Sequence, residues 1–141
     1  RDLWDYLYRL KSAGVTVLLT THLMEETERC GRLAILHQGR IAAMGTPGSL
    51  KDELGDHVTT LTVRDNSKFT DILRTKYNVV PQTVDNSLRI EKEMGNDFIA
   101  GLMKDYAGEI LSVTVGKPTL EDVFIHHTGH RFQEVQDEAA G

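Results

Sequence analysis

The chain has 141 residues, 16 Lys and Arg against 21 Asp and Glu for a net charge of −5, with 40% apolar and 26% charged residues and 3 Pro. Such a composition suits one ordinary folded domain or two small ones and excludes a disordered or fibrous chain. The acidic balance argues against an electrostatically held nucleic-acid partner, and the single cysteine, Cys30, excludes an intrachain disulfide and points to the cytosol.

Residues 2–13 set Leu3, Leu7 and Leu10 on one face of a helix, with Trp4 on the same stripe and Gly14 as its left-handed stop. Beginning at Arg1 on this stripe, the sequence reads as truncated at its N-terminus. Residues 15–19 form a short run of β-branched and apolar residues with no alternation, the pattern of a strand covered on both faces in a parallel sheet. A polar tip, Thr20, Thr21 and His22, ends it, and a second helix is expected through Cys30 with Glu25 and Glu26 in its first turn. Segments 33–36 and 40–44, joined through His37, Gln38 and Gly39, read as a hairpin. Thr46 caps and Pro47 opens a short helix that runs to Leu54 and stops at Gly55, the expected domain boundary.

Past Gly55 the pattern changes. A strand over 58–63 is followed by a helix over 67–77 with Phe69, Ile72, Leu73 and Tyr77 on one face. Strands over 79–84 and 88–91 come next, joined at Asp85 and Asn86. A helix over 97–107 buries Phe98, Leu102, Met103 and Tyr106 before a strand over 110–115. The order βαββαβ folds naturally as a small α+β ferredoxin-like sandwich, with both helices on one side of a four-stranded sheet. Pro118 and Thr119 start a last helix, carrying Glu121 and Asp122 at its positive end and reaching about Thr128. The expected division is 1–55, 56–130, and a flexible tail over 131–141.

Ligands of open α/β sheets bind where strand ends meet helix N-termini, so Thr20, Thr21 and His22 are the candidate site, with His22 placed to meet a phosphate. The plain alternative is that His22 only caps the helix. His126 and His130 share a helical face with Asp122 one turn earlier, a workable metal spacing. Histidines near a helix C-terminus are also favoured by the dipole, and His126, His127 and His130 are read that way, with no metal site. Cys30 reads as a small buried apolar residue, His37 and His57 as solvent-facing, and Glu25, Glu26 and Glu28 as a solvated group. Trp4 reads as core rather than as an adenine platform with Tyr6 and Tyr8.

Residues 15–21, His22, Met24, Glu25, Glu26, Thr27 and Glu28, followed by Arg32, Leu33, Ala34, Ile35, Leu36, Gly39, Arg40 and Gly45, Thr46, Pro47, resemble the switch-histidine region of ATP-binding cassette (ABC) transporter ATPases. This likeness covers residues 1–55. Pro118, Thr119, Leu120, Glu121, Asp122, Val123, Phe124 and Ile125, with Thr128 and Gly129, are similar to the closing segment of an accessory domain in bacterial exporters of the drug-resistance and sodium-export type. Over residues 56–117 the likeness rests on element order. One departure is Gly31, where an aspartate commonly follows the cysteine; a glycine there suits a helix stop.

The resemblance implies an α/β fold: the C-terminal piece of a P-loop NTPase sheet in residues 1–55, followed by an accessory domain in 56–130. It gives His22 the catalytic contact to the γ-phosphate, with Thr21 and His22 as nucleotide-binding positions. ATP and Mg in the complete protein, a membrane permease and a second ATPase subunit as partners, and a cytoplasmic position at the inner face of the plasma membrane through the permease all follow from the same likeness. The sequence has no GxxxxGK[ST] loop, no apolar strand ending in Asp-Glu and no LSGGQ-like segment. Those groups act together in phosphoryl transfer, so this chain alone is expected to have neither ATPase activity nor a bound cofactor. Its unpartnered strand and helix stripe are expected to drive self-association. A different reading is a non-catalytic regulatory module whose ferredoxin-like domain binds a small effector or mediates dimerisation.

Overall fold

A computed structural model describes residues 2–132. Helix α1 (Asp2–Ser12) ends at Gly14, whose φ of +88° is the left-handed stop read from the sequence. Its stripe is not buried: Leu3 is 62% exposed and Trp4, Leu7 and Leu10 are half-buried. The strand expected over residues 15–19 is not formed. These residues pair with no other strand, and all strand pairs among the described residues are antiparallel. A parallel strand is held by hydrogen bonds to neighbours on its edges, and nothing in the described chain supplies them.

Helix α2 (Met24–Thr27) is shorter than the expected run to Cys30. The Thr27 hydroxyl bonds back to the Met24 carbonyl at 2.6 Å, and Arg29 and Cys30 N–H groups bond to carbonyls three residues earlier, tightening the chain out of the helix. Gly31 is not left-handed and is not the stop that the sequence suggested.

Strands β1 (Leu33–His37) and β2 (Arg40–Gly45) form an antiparallel hairpin. Its two-residue turn takes positive φ at both Gln38 (50°) and Gly39 (73°), the twist that suits a tight hairpin. Helix α3 (Pro47–Asp52) opens with a reciprocal capping box between Thr46 and Ser49, and the chain turns at Gly55 (φ +79°).

The second part runs β3 (Val58–Val63), α4 (Asn66–Tyr77), β4 (Gln82–Val84), β5 (Ser87–Ile90), α5 (Asn96–Asp105) and β6 (Ile110–Gly116). Its sheet has the order β4-β5-β3-β6. Leu61, Val63, Leu88 and Ile90 point to one face and form a core with Phe69 and Leu73 of α4 and Leu102 of α5, so both helices cover that side. Met103, expected in this core, is exposed.

Helix α6 (Leu120–Thr128) has a Thr119 and Asp122 capping box and a left-handed Gly129 at its end. Its sequence neighbours are in the sandwich, yet Leu120 and Val123 enter a separate core with Leu50 and Leu54, flanked by Leu33, Ile35 and Ala43 of the hairpin. Its other side lies on the sheet face opposite α4 and α5. There the Gln82 amide donates to the Ile125 carbonyl at 3.1 Å, and Arg89 reaches Asp122. The helix that the sequence reading counted with residues 56–130 thus closes both parts. Residues 131 and 132 are also held, against the expected tail: Arg131 pairs with Asp85, and the Phe132 ring stands edge-on to Phe124 at 5.0 Å. The remainder of that expected tail, 133–141, lies outside the described residues.

Candidate functional site

An open groove of about 840 Å³ runs between α1, the extended segment 15–23, α2, β1 and α6. Its walls are mainly apolar, from the run Val15, Val17, Leu18 and Leu19 together with Leu120 and Phe124. Thr20, Thr21 and His22 lie at one end of this run, just before α2. Every residue from Val15 to Thr20 is exposed, Leu18 at 94%. The β-branched and apolar run over 15–19 is therefore present without the sheet that would bury it.

The polar tip is locally built. The Thr21 hydroxyl accepts from the Leu23 N–H at 3.1 Å, closing a small turn, and donates to the Glu26 carboxylate. Thr21 thereby fixes the entry into α2, and Glu26 is its anchor rather than part of a solvated acidic group. His22 sits in the bend between them with its residue exposed. Of the two predicted site residues, Thr21 has its hydroxyl committed inside the chain, whereas the His22 imidazole remains open to a ligand.

Around the groove, the Tyr8 hydroxyl donates to the Arg29 carbonyl at 3.2 Å, and the Arg29 guanidinium stacks 5.5 Å from the Trp4 ring centroid. Trp4 is thus a half-buried groove residue, neither core nor a free platform. Cys30 is half-buried and its thiol lies 3.7 Å from the Glu26 carbonyl. Glu28 pairs with Lys51 at 2.9 Å.

The three C-terminal histidines do not converge. His126 pairs with Glu91, His127 with Glu53 at 3.1 Å, and Asp122 is taken by Arg89 and Thr119. Among the described residues no group of three or more His, Cys, Asp or Glu side chains is arranged to hold a metal ion. His37 is not solvent-facing: half-buried, its ring stands edge-on to Phe124 at 5.9 Å. His57 is likewise half-buried.

Sequence reasoning missed Arg89. Its side chain is 4% exposed and bonded at 3.1 Å to each of Gln82, Glu91 and Asp122. The signal was available, since Arg89 is the one charge inside the otherwise apolar Leu88 to Ile90 run and alternation turns it away from the α4 and α5 core. A small cavity of about 150 Å³ beside it is lined by Thr60, Ser87, Glu121 and Asp122 among others.

Comparison with known proteins places this geometry in context. No family model matches the chain. The daunorubicin/doxorubicin resistance ATP-binding protein of Streptomyces peucetius is 31% identical over 99% of this chain and 44% of its own length. The chain belongs to the ATP-binding proteins of ABC transporters. The Nod factor export ATP-binding protein I of Rhizobium leguminosarum bv. viciae is 30% identical over 94% of this chain and 42% of its own length. A probable multidrug ABC transporter ATP-binding protein of Escherichia coli K12 is 41% identical over 51 residues, 36% of this chain. The chain thus spans less than half the length of these ABC relatives. No helix among the described residues is long and apolar enough to cross a membrane.

Proposed function

We propose that this chain is the C-terminal part of the ATP-binding subunit of an ABC exporter. Residues 1–55 would close the nucleotide-binding domain, and residues 56–130 would form a ferredoxin-like accessory domain. The strand order β4-β5-β3-β6, with α4 and α5 on one face, supports the ferredoxin-like reading. The relatives named for drug resistance and Nod factor export support the exporter reading.

His22 is the switch histidine in this reading. The observation that carries it is the exposed imidazole at the end of an apolar run that has the composition of a buried parallel strand but no sheet around it. In the complete subunit, other parts of the nucleotide-binding domain cover residues 15–19 and fix the backbone at Thr21. Thr21 and Glu26 then hold the bend, and His22 donates a hydrogen bond toward the terminal phosphate when ATP and Mg are bound. The residues present fit the contact and not the whole group: one imidazole can orient a phosphate, while this sequence has no phosphate loop and no Asp-Glu strand end. The subunit works at the cytoplasmic face of the membrane, paired with a second ATP-binding subunit and a permease.

The test is ATP hydrolysis by the complete subunit with its permease, comparing His22 with His22→Ala. A steep loss of turnover with folding retained supports the assignment; unchanged turnover rejects it. The effector-binding alternative gains nothing from the small cavity, whose Arg89 is already bonded to Gln82, Glu91 and Asp122.

A further inference from the structure

We propose that β6 is a self-association edge through which two copies of this chain join their sheets antiparallel about a two-fold axis at Val113. The sheet order leaves β4 and β6 as the two edges. Edge strands invite pairing unless they are short, charged, interrupted by proline or twisted away by a bulge along their length. The β4 edge has three residues, Gln82–Val84, between Pro81 and Asp85. In contrast, β6 has seven residues, Ile110–Gly116, with neither charge nor proline.

Its sequence is self-complementary. With Val113 facing its own copy, Ser112 faces Thr114 and Leu111 faces Val115, both pairs related by the axis. Leu111 and Val115 are 57% and 50% exposed, although both are large and apolar. A bulge leaves Leu111 with no partner on β3 and bends that end of the strand, while the register from Ser112 to Gly116 is regular. Just outside the strand, the same axis sets Glu109 of one copy, whose carboxylate also holds Lys68 of its own chain at 2.6 Å, opposite Lys117 of the other. Opposite charges thus close both ends of the pairing and disfavour a shifted register. The occupant that fits this edge is a second copy of the chain. This surface lies in the accessory part and does not depend on the role given to His22.

Sedimentation of the full 141-residue chain over a range of concentrations tests the proposal. The wild-type chain should dimerise. Leu111→Lys with Val115→Lys places lysine opposite lysine in both symmetry-related pairs and should raise the dimer dissociation constant at least about tenfold. Leu111→Glu with Val115→Glu should do the same, and an equimolar mixture of the two variants should form a heterodimer. Lys117→Glu, outside the strand and facing Glu109, should also weaken the dimer and serves if the strand variants fail to fold. A monomeric wild type overturns the proposal. So does a dimer dissociation constant that both charged variants leave unchanged; larger assemblies through residues 15–19 are a separate equilibrium, removed by Leu18→Asp and not by the β6 variants.

Discussion

Arg89 on β5 donates to Asp122 on α6 at 3.1 Å across the sheet face that α4 and α5 leave open. The guanidinium also bonds to Glu91, which in turn holds His126, so a single buried cation gathers a strand and both turns of a helix. With two carboxylates and the Gln82 oxygen around it, Arg89 makes three hydrogen bonds, two of them to negative charge, and that is what makes its burial tolerable.

Removing that cation should therefore be costly. Arg89→Met leaves Asp122 partly buried without a counter-charge and Glu91 with His126 alone, and the expected loss is about 3 kcal/mol of unfolding free energy. Urea denaturation followed by circular dichroism measures it. A loss below about 1 kcal/mol shows that the network is a surface ion pair in all but position.

Phe124 carries the packing side of the same helix, being 1% exposed and touching His37 and Phe132. Phe124→Ala should destabilise by about 3–5 kcal/mol, with the hairpin losing its amide protection together with α6. Hydrogen exchange resolved along the chain reads both effects.

In the complete subunit, His22→Ala should lower ATP turnover by on the order of 100-fold with little change in KM, because the imidazole acts on charge that shifts in the transition state. Steady-state hydrolysis kinetics separate the two parameters. A raised KM with normal turnover would assign His22 to ground-state binding instead.

Leu18, at 94% exposure, contributes no internal packing. Leu18→Asp should therefore leave the thermal midpoint unchanged while reducing light scattering of this chain at high concentration. A lowered midpoint would mean that residues 15–19 are more ordered against the groove than their exposure shows.

At alkaline pH, Lys68 is held above its ordinary value of 10.5 by a hydrogen bond and charge attraction from Glu109. A lysine raised on folding stabilises fully below 10.5 and loses that contribution as pH climbs through its higher folded value. Lys68→Met should flatten this alkaline fall in stability and lower the neutral range by the same small amount, as an exposed ion pair allows. Denaturation midpoints measured from pH 8 to pH 11.5 make the comparison.

Local chemistry made much of this fold legible in the sequence. Gly14, Gly55, Thr46 with Pro47, and Thr119 each specify a backbone conformation within a few residues, and each appears where it was read. Periodicity did the same for Phe69 and Leu73, whose spacing places them in one core. Non-local partners were not legible. The apolar run at 15–19 announces burial without naming what covers it, and α6 was assigned by sequence adjacency when its leucine and valine fit the hairpin core. At the candidate site, the exposed His22 followed from a polar break in an apolar run, while the tie from Thr21 to Glu26 required the turn geometry.

The placement of α6 also fixes an order of events during synthesis. Leu50 and Leu54 emerge from the ribosome long before Leu120 and Val123, the side chains that complete their core. The hairpin and α3 must therefore wait, with apolar surface uncovered, while the entire four-stranded sheet is made and collapses first. A nascent chain halted before α6 would present that surface to chaperones, and the release of a handful of further residues would withdraw it.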